Sequence, residues 1–290
     1  MAAKVEKDAV TGTETTGHEW DGIKELNTPL PRWWLYVFYA SIVWSIGYWV
    51  VYPAWPGFSD YTKGLLGYST RAEFEDRMAA AQSVHQPFID RITAMGIDEV
   101  VADPELLQYA MAGGRAVFGE NCAACHGAGG QGAPAFPVLA DDDWLWGGDL
   151  ASIHQTVLYG IRSGHDETRI SEMPKFGVDA ILEPAQIADV AQHVLSLGGR
   201  AEDAEAAERG AAVFAEQCAA CHGESGEGLP EMGAPRLSDE IWLFGDGSAE
   251  AIAAQIGNPR QGVMPAWDGR LNETAIKMAT IYVHSLGGGQ

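Results

Sequence analysis

Asn121–Gly127 reads NCAACHG, and Gln217–Gly223 reads QCAACHG. All four cysteines of the chain, Cys122, Cys125, Cys218 and Cys221, fall in these two words, and a histidine, His126 or His222, follows each pair. On a helical turn, positions i, i+3 and i+4 share a face. Each word therefore sets two thiols beside one imidazole. Such a face can hold one flat macrocycle, the thiols adding across its two vinyl groups and the imidazole coordinating the central iron. This is the pattern of haem c attachment, and the small alanines let a ring lie close. Zinc would gather its four ligands at one centre, whereas these pairs lie in separate stretches. Structural disulfides leave the histidines unexplained, and a thioredoxin-like redox pair needs a strand–helix context that is lacking here. Two words imply two covalently bound haem c groups.

The words sit inside a longer repeat. GRAVFGENCAACHGAGGQG from Gly114 matches GAAVFAEQCAACHGESGEG from Gly210, and FPVLADDDWLWGGD from Phe136 matches APRLSDEIWLFGDG from Ala234. IADVAQHVLSLGG from Ile187 then matches IKMATIYVHSLGG from Ile276. Two homologous modules follow one another, 106–199 and 200–290, with a charged joint at Gly198–Arg209. Each reads as short amphipathic helices between glycine- and proline-rich loops, so the expected fold class is all-α.

A haem iron needs a second axial ligand, and methionine there closes the iron and raises its potential. Both repeats carry a Met-Pro in the loop before the closing helix, Met173-Pro174 and Met264-Pro265. The proline stiffens the loop and lowers the entropic cost of presenting the thioether. Met78, Met95, Met111 and Met278 read as core fillers, and Met232 has no counterpart in the first repeat. The spacing leaves open whether each methionine serves its own module or the neighbouring one. A ligating histidine donates its other N–H to a fixed acceptor, for which the carbonyls of Pro137 and Pro235, in aligned positions, are candidates. Arg162 and Arg260, near the methionine loops, are candidates to pair haem propionates. Trp144, Trp146 and Trp242 are candidates for the ring edges. His18, His85, His154, His165, His193 and His284 show no ligand spacing.

Trp33–Ser59 is a run of 27 residues without a formal charge. About 20 apolar residues cross a bilayer as a helix, and aromatic residues crowd both ends of this stretch, as at membrane interfaces. A long polar segment precedes the run, and tryptophan and proline follow it, unlike a cleaved signal. The expected organisation is a segment at 1–31, a transmembrane helix at 32–54, a linker with a spacer helix at 55–105, and the two modules. Lys24 and Arg32 on one side balance Lys63 and Arg71 on the other, so charge sets no orientation. Haem c is attached outside the bacterial cytoplasmic membrane, which places 1–31 in the cytoplasm and both modules in the periplasm. A net charge of −22 excludes a nucleic-acid partner and suits a basic protein partner.

GHEWDGIKELNTPLPRWWLYVF, from Gly17 to Phe38, together with the GIRS…EMPKFG and GVMPAW loops, resembles the dihaem subunit (subunit III, the CcoP/FixP family) of cbb3-type cytochrome c oxidases. The resemblance covers nearly the whole chain. It implies two tandem class I cytochrome c domains behind one membrane helix, with no catalytic centre of their own. It also implies electron transfer from a donor cytochrome c toward a monohaem subunit and a haem–copper catalytic subunit, where oxygen is reduced with proton pumping. It places Cys122, Cys125, His126, Cys218, Cys221, His222, Met173 and Met264 on haem-binding positions, with Met173 on the second haem and Met264 on the first. Some members of that family carry two membrane helices, and one is evident here. Two rivals remain: a dihaem peroxidase, against which the two Met-Pro loops argue, and a dihaem subunit of a periplasmic dehydrogenase or nitrite reductase, against which the N-terminal stretch argues.

Overall fold

The computed structural model describes residues 5–287, which divide into two units at Val84/His85. In the first unit, β1 (Thr15–Trp20) and β2 (Ile23–Leu26) form an antiparallel hairpin pairing Trp20 with Ile23 and Glu19 with Lys24. Its two-residue turn is Asp21-Gly22, with φ of 51° and 87°. Positive φ at both central residues matches the right-handed twist of the strands, and Asp-Gly tolerates it. This hairpin is the one sheet among the described residues of an otherwise helical chain. Helix α1 (Arg32–Val51) spans 20 residues and buries none of them. It is long and apolar enough to cross a membrane, with a mean hydropathy of 1.4. Its last carbonyls are not orphaned, because the chain returns and the Leu65 and Leu66 N–H groups donate to the Val50 and Val51 carbonyls, at 3.0 and 3.1 Å. Helix α2 (Thr70–Ala94) follows, with Ser69 Oγ accepting from the Ala72 N–H at its start, and crosses into the second unit.

In that unit α3 (Ile97–Ala102) leads into α4 (Pro104–Asn121). The Asp103 carboxylate accepts from the N–H groups of Glu105 and Leu106 at 3.0 and 3.2 Å, and Pro104 occupies the first helical position, where no N–H is needed. The second repeat rebuilds this start with Asp203 ahead of α8 (Ala204–Gln217). Short turns carry the CxxCH words, α5 (Ala123–His126) and α9 (Ala219–His222). The remaining helices are α6 (Leu150–Tyr159), α7 (Pro184–Leu197), α10 (Ala249–Gly257) and α11 (Glu273–His284).

The closing helices are exchanged. α11, from the end of the second repeat, packs on α4 and α6, while α7, from the first, packs on α8 and α10. One core joins Phe118, Ile153 and Val157 to Ile276 and Val283. The other joins Ile187, Val190 and Val194 to Phe214, Ile252 and Ile256. The modules 106–199 and 200–290 are thus units of sequence, and each contributes segments to both packing units. The joint explains this. Only 198–203 separates α7 from α8, and a short connection leaves antiparallel neighbours in contact. Arg209 then pairs both oxygens of Asp189 across the two helices, at 2.7 and 3.0 Å. Both crossings are made at glycine. Gly114 of α4 abuts the Met278 backbone carbonyl, and Gly210 of α8 abuts that of Asp189, so a Cβ at either position would collide with main chain.

A third core of Ile92, Val100, Leu106, Ala110 and Ile281 ties the end of α2 to α4 and α11. There the buried Lys277 ammonium donates to the carbonyls of Ile92, Thr93 and Met95 at 3.3, 3.1 and 2.9 Å and pairs Glu273 at 2.9 Å. A cation on the unpaired carbonyls at a helix C-terminus is favourable.

Two candidate haem pockets built from exchanged segments

In each pocket the helix before the CxxCH word ends at the first cysteine, and one further turn follows. The Cys125 and His126 N–H groups donate to the Cys122 carbonyl at 3.1 and 3.0 Å, and those of Cys221 and His222 donate to Cys218 at 3.0 Å each. This turn sets both thiols and the imidazole on one side. Gly127 and Gly223 stop it, with φ of 78° and 80°, where an L side chain would be strained. No disulfide joins any of the four cysteines. Burial, then the neighbouring cysteine, pushes Cys122 and Cys218 up to about 11, so both are protonated at neutral pH.

His126 Nδ1 lies 3.0 Å from the Pro137 carbonyl, and His222 Nδ1 lies 3.0 Å from that of Pro235. A carbonyl only accepts, so Nδ1 carries the proton and Nε2 is left with its lone pair. Burial lowers the pKa of both histidines, and the proline carbonyls partly offset it. Neutral imidazoles with a fixed tautomer are the form that binds a metal. The loops that bring the prolines back are pinned alike: the Gly132 and Gly228 N–H groups donate to the His126 and His222 carbonyls at 2.7 and 2.8 Å.

The methionines cross over with the helices. Met264 exchanges two backbone hydrogen bonds with Ile161, both 3.0 Å, and packs in the core that holds Phe118, Ile153 and the partly buried Cys122. Met173 packs in the core that holds Phe214, Ile252 and Cys218. Each thus shares an apolar cluster with a cysteine of the opposite repeat. Trp144 belongs to the first cluster and Trp242 to the second. Trp146 is stacked under Arg169 at 5.1 Å.

The two arginines are not equivalent. Arg162 donates from Nε to the Gly262 carbonyl at 2.7 Å and from a terminal nitrogen to the Ser171 carbonyl at 2.8 Å. Arg260 is exposed, its guanidinium 5.1 Å from the Phe244 ring. His193 packs on Phe214, and His165 on Tyr159. Met232 lies on an exposed 3-10 turn. Ile161, which fixes the Met264 backbone, lies in the Gly160–Ser163 stretch GIRS, but a backbone pairing leaves no mark in the sequence.

These residues fit a haem c in each pocket: two thiols and a neutral imidazole on one turn, facing an apolar cluster with a thioether. A helix able to cross a membrane, followed by two such domains, defines a membrane-anchored cytochrome c of the electron-transfer type. Residues 12–59 match the family model of the N-terminal domain of cytochrome oxidase-cbb3, FixP, residues 111–198 that of cytochrome c, and residues 205–283 that of cytochrome C oxidase, cbb3-type, subunit III. The chain is 54% identical to a cbb3-type cytochrome c oxidase subunit FixP of Bradyrhizobium sp. (strain ORS 278), over the full length of both. It is 52% identical to subunit CcoP of Azospirillum brasilense, over 99% of this chain and 100% of that one, and 50% identical to subunit FixP of Sinorhizobium medicae, over 98% and 97%. The chain belongs to the FixP/CcoP family of cbb3-type cytochrome c oxidase subunits.

Proposed function

We propose that the chain is the dihaem electron-transfer subunit of a cbb3-type oxidase, carrying electrons from a donor cytochrome c toward the monohaem and haem–copper subunits. There oxygen is reduced to water with proton pumping. Haem c, when bound, supplies a one-electron iron centre. Cys122 and Cys125 would hold the first haem and Cys218 and Cys221 the second. His126 with Met264 would be the axial pair in the first pocket, and His222 with Met173 in the second. The placing of each methionine in the cluster of the opposite repeat's cysteine carries this reading.

The protein's own contribution is rigidity and polarity. Pro137 and Pro235 orient the imidazoles, the Ile161 pairing holds the Met264 loop, and the apolar clusters keep water from the irons. Thioether ligation in such surroundings favours the reduced state and leaves no open position for a substrate. The acidic surface suits a basic donor. Residues 1–31 would lie in the cytoplasm, with α1 in the inner membrane and both domains in the periplasm. The test is to purify the chain from its own membranes with its associated subunits. Two haem c per chain, two methionine–iron bands in the near infrared and no carbon monoxide binding to this subunit are expected. Carbon monoxide binding at one of its haems would instead point to a dihaem peroxidase.

A further inference from the structure

Arg162 and Arg260 both lie near a methionine loop, but Arg162 is bound to loop carbonyls while Arg260 is exposed. The two Arg162 hydrogen bonds reach the carbonyls of Ser171 and Gly262. Each carbonyl lies two residues before a methionine, Met173 in one case and Met264 in the other. One guanidinium therefore holds two loops whose methionines belong to different pockets. We infer that Arg162 is a positioning residue for both methionines, a shared clamp that couples the two haem sites.

Three observations carry this. Arg162 has φ of +50°, a conformation that costs a non-glycine residue energy and persists only where its surroundings impose it. Its backbone is held as well: its N–H donates to the Arg169 carbonyl at 2.9 Å, and its neighbour Ile161 pairs with Met264. Burial disfavours its charge, with Glu172 as the opposing influence, so the cation is kept half-buried to serve carbonyl oxygens. A planar fork can hold two acceptors in fixed directions, which a lysine cannot. Arg260, near the methionine loop of the second repeat, lies exposed over Phe244 and offers no second clamp. The repeat is written twice, and this device once.

The inference rests on Met173 and Met264 being iron ligands, and the experiment separates the two claims. The full chain with both haems attached is titrated with imidazole, which displaces methionine from ferric haem, and the near-infrared methionine–iron bands are followed. Arg162→Gln should bind imidazole about tenfold more tightly at both haems, the size of one lost charged hydrogen bond per loop, with two haems still attached. Arg115→Gln, a change at an exposed position on α4, should not differ from the parent. If the glutamine variant fails to mature, Arg162→Lys, which can reach one carbonyl, should loosen one haem. Loosening at one haem only in Arg162→Gln, or at neither in either variant, overturns the clamp. A parent chain without the bands overturns the ligand assignment, and the clamp with it.

Discussion

Ending the chain at Arg200 tests the exchange of closing helices. The cut removes α8 to α11 but keeps the whole first repeat, CxxCH word, Met-Pro loop and closing helix included. If each repeat folded on itself, this fragment would be a complete cytochrome c domain. In the structure it loses α11, whose Ile276, Ile281 and Val283 are 1%, 2% and 6% exposed in cores shared with α4 and α6. Burial of one such side chain stabilises by about 1.5–3 kcal/mol, so the three together supply roughly 5–9 kcal/mol. A domain's entire stability is about 5–15 kcal/mol. The fragment's α4 and α6 should therefore lack a stable packing partner, and its haem should lack a methionine–iron band. Co-expression with 201–290 should restore both, because the α4–α11 and α7–α8 contacts each cross the cut. The assay is thermal unfolding by circular dichroism, with the near-infrared spectrum recorded beside it. A cooperative transition of the fragment within a few degrees of the full chain, with the band present, would refute the reasoning.

Two further expectations concern stability. Lys277→Met leaves the carbonyls of Ile92, Thr93 and Met95 without their donor. A buried carbonyl left unpaired costs about 1–3 kcal/mol; a total near 3 kcal/mol lowers the melting temperature by roughly 6–12 °C, and no change in a calorimetric scan would discard this role. Asp143 is pushed up to about 6 by burial and by the neighbouring Asp239 carboxylate, against the pull of Arg236. An unfolded aspartate titrates near about 3.9, so the folded state holds the proton more tightly. That contribution is present below about pH 4 and is lost as the pH rises through about 6. Asp143→Asn should accordingly stabilise the protein at pH 7.5 by about 1 kcal/mol, the side chain being partly exposed, and change little at pH 4.5. Equal melting shifts at both pH values would count against it.

Local features were legible because local chemistry decides them. The span of α1 follows from its uncharged run, and the start of α4 from Asp103-Pro104. Aligning His126 with His222 and Pro137 with Pro235 brought the histidine–carbonyl hydrogen bonds within reach. The hairpin at 15–26 has one local signal, Asp21-Gly22 between Trp20 and Ile23, a turn pair of the strongest short-range kind, but its strands lack a clean apolar alternation. The exchange of α7 and α11 was not legible from periodicity. Both helices carry an apolar face, and both repeats close on the same Ser-Leu-Gly-Gly; such a face says that a helix packs without saying against what. The choice is made by the short joint and the Arg209–Asp189 pair. The role of Arg162 was hidden for another reason. Its acceptors are backbone carbonyls, which leave no mark in a sequence.

The pairing of methionine with haem can be measured on a chain that holds one haem. Replacing Cys122 and Cys125 with serine leaves the second attachment word intact, and the ferric methionine–iron band of the remaining haem is then recorded with Met173→Ala or Met264→Ala added. The band should disappear with Met173→Ala and survive Met264→Ala. Loss with Met264→Ala and survival with Met173→Ala would contradict the account.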